Sequence, residues 1–381
     1  MDDKQSITWP LLEKTSPFIQ NAWKEAGFNA PTKVQERAVP SLLEGQNMVV
    51  EAPTGTGKTI AYLIPLLQKI DPEMKNTQAV IIAPSRELVM QVLEELNQWT
   101  KGSGIEGAAF IGGANIKRQI DKLKKTVHVA VGTPGRVLEL IELKKLKMHK
   151  VSTLVLDEGD QLITQEHEKS LQKIRKASLK DTQILFTSAT ISTGTAKKAK
   201  ELLGEAEELR ISKGKEEVEK VNHIYFVCEQ REKIDILRRY IRTENIRALT
   251  FVNNVEQLTE MSDKLAYRGV STEALHGDSN KDERKNAITR FRNGETTLLL
   301  ATDVAARGLD IKELSHVIQL DLPRNADQYS HRAGRTGRAG ASGTVVSLVT
   351  KREEQDLKKI SSRLKIKVVR KKLYKGNIVD E

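Results

Sequence analysis

Residues 48–59 read MVVEAPTGTGKT, and the reading of this stretch decides the fold. Apolar residues run into a turn of small residues and glycines, which ends in Lys58 and Thr59 before an apolar segment of helical period, residues 60–70. The order is strand, glycine-rich loop, helix. The backbone N–H groups of such a loop are left unpaired and converge at the positive end of a helix dipole, the environment of a bound polyphosphate. Gly55 and Gly57 supply backbone freedom, Lys58 a point charge for the β- and γ-phosphates, and Thr59 a hydroxyl for Mg²⁺. Ala52 stands where the general pattern has glycine. The expected nucleotide loop therefore runs through Ala52, Pro53, Thr54, Gly55, Thr56, Gly57, Lys58 and Thr59.

Outward from the loop, short apolar runs alternate with segments of helical period. AVIIAP (79–84) precedes RELVMQVLEELNQW, GAAFIGG (107–113) precedes KRQIDKLKK, and VHVAVGTP (127–134) precedes GRVLELIEL. Strands apolar throughout, separated by amphipathic helices, imply a parallel sheet covered on both faces. Ligands of such sheets sit beyond the carboxyl ends of the strands. At the next exit, STLVLDEGD (152–160), Asp157 and Glu158 follow an apolar strand in tandem, the pattern of a Walker B site. Asp157 is then expected to hold Mg²⁺ and Glu158 to orient and deprotonate the attacking water. QILFTSAT (183–190) brings Ser188 and Thr190 to the same edge. Upstream, residues 11–26 have helical spacing, and Gln35 sits just before a second helical pattern; its planar amide suits the N6/N7 edge of adenine.

Residues 205–220 are charged and poor in large apolar side chains, which marks a linker. From Val221 the strand and helix alternation restarts without a second nucleotide loop. In YSHRAGRTGRAG (329–340), Arg332, Arg335 and Arg338 recur every three residues among small ones, and guanidinium groups so spaced can reach γ-phosphate oxygens. ATDVAARGLD (301–310) is a further strand exit, with Asp310 placed to accept from ribose hydroxyls. The end of the chain adds a segment of helical period and a basic run, residues 367–372, that could add phosphate contacts.

The chain has 381 residues, enough for two domains of about 150 to 200 residues each. Its formal net charge of +11 suits a polyanionic partner, nucleic acid being the commonest. The single cysteine, Cys228, excludes a disulfide framework and a Cys-cluster metal site. Residues 1–10 are acidic at the front without an apolar core, and no apolar run approaches the ~20 residues of a membrane span. A cytoplasmic protein with no membrane partner is expected.

Together these residues resemble a DEAD-box RNA helicase, a superfamily 2 ATPase, over nearly the whole length. Beside Gln35 the chain carries APTGTGKT at 52–59, this family's form of the loop, which accounts for Ala52. It also has PSREL at 84–88, the Gly112 and Gly113 pair, TPGR at 133–136, SAT at 188–190, ATDVAARGLD at 301–310 and HRAGRTGR at 331–338. The resemblance implies an α/β fold of two tandem RecA-like domains, each a mostly parallel sheet covered by helices on both faces. The first is expected over residues 1–208, a linker over 209–220, and the second over 221–381.

The resemblance further implies ATP and Mg²⁺ as ligands and hydrolysis coupled to local unwinding of RNA. Gln35 would read adenine, Lys58 and Thr59 serve the phosphates and Mg²⁺, Asp157 bind Mg²⁺, and Glu158 act as base. Arg335 and Arg338 would be arginine fingers, and Asp310 would contact the ribose. RNA would lie along Arg86, Gly113, Thr133 and Arg136 in the first domain and near Thr302 in the second, with little sequence preference. Asp160, Ser188 and Thr190 would couple hydrolysis to RNA. Family members act in ribosome assembly, messenger decay and cold adaptation, which makes ribosomal precursors candidate partners.

Three positions depart from the family. Gly159 gives DEGD in place of DEAD, and glycine there is expected to loosen the backbone between Asp160 and Ser188. Lys281 replaces a usual glutamine and would alter an RNA contact. Trp9 is the nearest candidate for the aromatic that packs on adenine, one residue off the usual spacing. The main reading is an ATP-dependent RNA helicase. The alternatives are an RNA clamp of weak turnover, should Gly159 uncouple the site, and a DNA translocase.

Overall fold

The computed structural model describes residues 9–211, 221–243, 246–276, 279, 281–306, 314–337, 342–375 and 377–381. Its contacts divide the chain into two compact units, Met1–Ser212 and Lys213–Glu381.

In the first unit seven strands form one all-parallel sheet in the order β3-β4-β2-β5-β6-β1-β7. They are β1 (Met48–Glu51), β2 (Ala79–Ile82), β3 (Gly107–Phe110), β4 (Val129–Gly132), β5 (Thr153–Leu156), β6 (Gln183–Ser188) and β7 (Glu207–Arg210). Successive side chains of a strand point to opposite faces, and in β1 to β6, unlike the edge strand β7, both faces are buried. Val50, Ile81 and Leu185 enter one core cluster, whereas Val49, Ile82 and Phe186 enter the other. That two-sided burial is why these strands read as unbroken apolar runs.

Local signals fix the helices. Thr32 and Gln35 make a reciprocal capping box at the start of α2 (Lys33–Leu43), so Gln35 lies inside that helix and not just before it. Upstream, α1 (Pro17–Glu25) begins with proline in its first turn, preceded by a separate 3-10 turn, Leu12–Lys14, within the stretch expected to be one helical segment. The helix α3 (Lys58–Gln68) starts at the glycine loop.

In the second unit the sheet order is β10-β11-β9-β12-β13-β8-β14-β15, parallel except for the last pair. The strands are β8 (Val221–Val227), β9 (Ala248–Phe251), β10 (Thr272–Leu275), β11 (Leu298–Ala301), β12 (His316–Gln319), β13 (Gly343–Val349), β14 (Val368–Tyr374) and β15 (Asn377–Asp380). Leu298 and Leu300 face one core cluster, Leu299 and Ala301 the other.

Two sequence expectations change. Leu209 and Arg210, expected in the linker, pair with Val50 and Glu51 as part of β7. One buried leucine among charged neighbours suffices, because the partner strand supplies the hydrogen bonds; residues 212–220 lie outside the described residues. The basic run at 367–372 is largely β14, which joins β8 and turns back into β15. Two of its cations are paired internally, Arg370 with Glu381 at 3.0 Å and Lys371 with Asp380 at 2.5 Å. Among the described residues no helix is long and apolar enough to cross a membrane.

Candidate nucleotide and RNA site

Strands β5, β6 and β1 are neighbours, so residues about a hundred positions apart meet at their carboxyl ends. The loop leaves β1 at Ala52, whose N–H donates to Ser188 O at 3.0 Å. Gly55 and Gly57 have φ of 81° and 85°, a region in which L side chains are strained. Gly57 is required twice over, since a Cβ there would also lie 2.5 Å from Gln35 Nε2. Thr56 Oγ1 donates to Pro53 O at 2.7 Å and closes the turn. Lys58 is 8% exposed and its Nζ donates to Ala52 O at 2.5 Å and Pro53 O at 3.1 Å. The ammonium thus sits in the mouth of its own loop, bonded to carbonyls that phosphate oxygens could replace. Thr59 follows in the first turn of α3.

The Gln35 amide holds the far side of this loop. Its oxygen accepts from Thr32 N–H at 2.9 Å and its Nε2 donates to Gly57 O at 3.3 Å. Gln35→Ala removes half of the capping box and the anchor of Gly57 together. It is expected to lower the melting midpoint by about 2–4 °C and to raise the KM for ATP, read by thermal denaturation and steady-state hydrolysis. Trp9, proposed from sequence as the adenine-packing aromatic, is a core residue at 6% exposure, its ring centroid 5.2 Å from that of Trp23. Phe28, its ring centroid 5.1 Å from that of Trp23, is 39% exposed.

Asp157 is buried and fully engaged. Thr187 Oγ1 donates to its Oδ1 at 2.6 Å, Glu158 N–H to the same oxygen at 3.0 Å, and Tyr62 Oη to its Oδ2 at 3.0 Å. Sequence reading missed Tyr62 and Thr187, because a tyrosine in an apolar helix and a threonine in a strand carry no signal until the strand order places them together. Burial, then the Glu158 carboxylate, push the Asp157 pKa up, against the pull of Thr187, Lys58 and Tyr62. An acid raised in the folded state holds its proton more tightly there than in the unfolded chain. Stability is therefore lost as pH rises from the ordinary carboxylate range through the folded pKa. Asp157→Asn keeps the shape without the charge and is expected to raise the melting midpoint at pH 7 in the absence of nucleotide and divalent cation. A lower midpoint would mean that the three hydrogen bonds outweigh the burial of the charge.

Glu158 has φ 50° and ψ 50°, a left-handed backbone that costs a non-glycine residue about 1–2 kcal/mol. Its Oε2 is buried with no hydrogen-bond partner among the described residues. Asp160 and Ser188 meet as expected, Ser188 Oγ donating to Asp160 Oδ1 at 2.6 Å, and Thr190 N–H donates to Ser188 Oγ at 3.3 Å.

The other half of the same sheet edge, β3-β4-β2, gathers the four RNA candidates of the first unit. The Arg86 guanidinium lies over Gly113, where a Cβ would come within 2.7 Å of its Cζ. Gly112 N–H donates to Thr133 Oγ1 at 3.3 Å. Arg136 turns inward and donates from both terminal nitrogens to Ala114 O at 3.1 Å, so it shapes the glycine loop from beneath.

In the second unit Thr302 is buried at the exit of β11 and accepts from Ala305 N–H at 3.3 Å. Arg335 follows the helix Ala326–Ala333 and is partly exposed. Asp310 and Arg338 lie outside the described residues, as does the side chain of Lys281. Arg332 does not behave as a phosphate ligand. It is 1% exposed and its guanidinium grips Asp303 through Nε at 2.7 Å and Nη2 at 2.6 Å. It also donates to Asp321 O and Asn253 Oδ1, each at 2.7 Å, and lies over the Phe251 ring. This corrects the reading of three equivalent arginines: regular spacing does not reveal that one faces the sheet.

Residues 32–199 match the DEAD/DEAH box helicase family and residues 232–340 the helicase conserved C-terminal domain. The chain is 47% identical over 370 residues to the DEAD-box ATP-dependent RNA helicase CshC of Bacillus cereus, covering 97% of this chain and 95% of that one. It is 49% identical over 361 residues to a probable ATP-dependent RNA helicase, YfmL, of Bacillus subtilis, covering 95% and 96%. Among solved structures it is similar to S. cerevisiae Dbp5 bound to RNA and ADP BeF3, with a TM-score of 0.86 and 31% identity over 94% of both chains. It is also similar to Mss116p bound to ssRNA and AMP-PNP, with a TM-score of 0.83 and 26% identity over 94% of this chain and 78% of that one.

Proposed function

The chain belongs to the DEAD-box ATP-dependent RNA helicases, and from that premise we propose which of its residues perform the steps of an RNA-stimulated ATP hydrolysis. It is an enzyme that binds ATP and acts on RNA. The loop 52–59 wraps the phosphates, with Lys58 exchanging its two carbonyl partners for β- and γ-phosphate oxygens. Hard oxygen donors suit Mg²⁺, and the Thr59 hydroxyl and the buried Asp157 carboxylate are donors of that kind on adjoining elements. Mg²⁺ bound there would neutralise charge on the phosphates. Glu158 orients a water and takes its proton as the water oxygen bonds to the γ-phosphorus and the bond to the bridging oxygen breaks.

The observation that carries this reading is Glu158 Oε2, shielded and without a hydrogen-bond partner among the described residues, held by a strained backbone beside Asp157. A carboxylate oxygen of a half-buried residue that is shielded from water without a partner is costly unless a reactant supplies one. It favours turnover over the clamp reading. Gln35 is assigned to adenine, Arg335, Arg338 and Asp310 to the phosphates and ribose, and Arg86, Gly113, Thr133 and Thr302 to RNA phosphates and 2′-hydroxyls, while Arg136, expected from sequence as a further RNA contact, is assigned the bracing of the glycine loop through Ala114 O. Ribosomal precursors in the cytoplasm are the proposed targets.

The test is steady-state ATP hydrolysis with and without structured RNA, and with DNA of the same sequence as competitor. Strong stimulation by RNA that DNA fails to reproduce is expected. A rate unmoved by RNA would overturn the coupled reading, and equal stimulation by DNA would overturn the RNA assignment.

A further inference from the structure

The ring of Phe186 lies directly against Gly159, and we propose that these two residues are a size-matched pair that positions Asp160 opposite Ser188. The proposal rests on the RNA-stimulated hydrolysis proposed above together with the role that the family resemblance gives Asp160, Ser188 and Thr190, the coupling of hydrolysis to RNA. Glycine is not needed at 159 for its conformational freedom, since Gly159 is not among the positive-φ residues. It is needed for space. A Cβ at 159 would lie 2.7 Å from Phe186 Cδ2 and nearer still to Cε2 and Cζ, inside the 3.0 Å limit that real Cβ atoms respect.

The ring cannot retreat cheaply. Phe186 is 0% exposed and shares a core cluster with Leu156, Leu162 and Ile191, where close packing leaves no room for a displaced aromatic. The strain of an added methyl would pass instead to the backbone of 159, and so to Asp160. Phe186 and Ser188 are two apart on β6 and therefore project from the same face. Gly159 thus rests on Phe186 while Asp160 receives the hydrogen bond of Ser188, and the height of the first contact sets the length of the second. Thr187, between them, points to the opposite face, where it serves Asp157. The expectation that Gly159 merely loosens the backbone is thereby replaced: an alanine in this motif requires a smaller residue at 186. Gly159 and Phe186 are positioning residues, which act through Asp160.

The experiment compares the full-length parent with Gly159→Ala, Phe186→Leu and the double variant, each with and without Ser188→Ala. Melting midpoints are measured without nucleotide or RNA, and ATP hydrolysis with and without RNA. Gly159→Ala is expected to melt about 3–8 °C below the parent and to lose about tenfold or more of its RNA stimulation. The double variant should recover most of both. Ser188→Ala should lower the midpoint of the parent and of the double variant more than that of Gly159→Ala, where the Asp160 partner is already displaced and only the Thr190 contacts remain to be lost.

Gly159→Ala that melts and responds to RNA like the parent would overturn the proposal. So would a double variant no better than the worse single one, or one that fails to fold. Should the parent itself ignore RNA, the proposed function fails while the Ser188→Ala melting comparison still decides the pair.

Discussion

Glu158→Gln is expected to lower RNA-stimulated ATP hydrolysis by about 10²–10⁴-fold, the range for loss of a positioned base, while nucleotide and RNA binding stay close to the parent's. The amide has the shape of the carboxylate and can still accept a hydrogen bond from water, but it cannot take the proton. The left-handed backbone of Glu158 and the engagement of Asp157 by three donors do not depend on the charge at 158, so the surrounding geometry should persist. Phosphate release reads the first effect; fluorescence titration with a nucleotide analogue and anisotropy of labelled RNA read the second. A loss of only a few-fold would remove Glu158 as the base. A parallel loss of binding would show that the residue shapes the loop and does not carry the chemistry.

Arg332→Ala is expected to destabilise the second unit by about 3–5 kcal/mol, since it leaves the half-buried Asp303 charge with only the Gln328 amide as partner and strips the Asp321 carbonyl and the Asn253 amide of their buried donor. In a unit of this size that corresponds to a fall of roughly 10 °C in its melting midpoint. The arginine joins the exits of three strands: Asp303 after β11, Asn253 after β9 and the Asp321 carbonyl after β12. Lysine cannot replace it, because the bidentate fork and the face over Phe251 need a planar guanidinium. Arg335→Ala should give the converse result, slow hydrolysis with a midpoint near the parent's. Melting curves and hydrolysis rates of the two variants separate the roles, and equal midpoints would contradict the structural assignment of Arg332.

Much of this protein was legible in its sequence. Strands buried on both faces are apolar along nearly their whole length, so Met48–Glu51, Ala79–Ile82 and Val129–Gly132 announce a parallel sheet without help from periodicity. Nucleotide chemistry is local: loop glycines, lysine and threonine must be consecutive for their N–H groups and side chains to converge, and a linear motif records that. The tandem Asp157 and Glu158 are readable for the same reason. Features that depend on strand order were not. β7 has a single buried leucine, and β14 reads as a basic run until it pairs with β8.

The sequence by itself determined the fold class, the nucleotide loop, the acid pair and the family, because each follows from residues close together in the chain. Only the tertiary structure decided which neighbours those residues have. Tyr62 and Thr187 serve Asp157, Gln35 braces Gly57, Arg332 is buried while Arg335 is partly exposed, and Gly159 yields its side-chain volume to Phe186. Each of these joins segments between 22 and 95 positions apart, and such contacts exist only once a sheet has fixed the order and register of its strands.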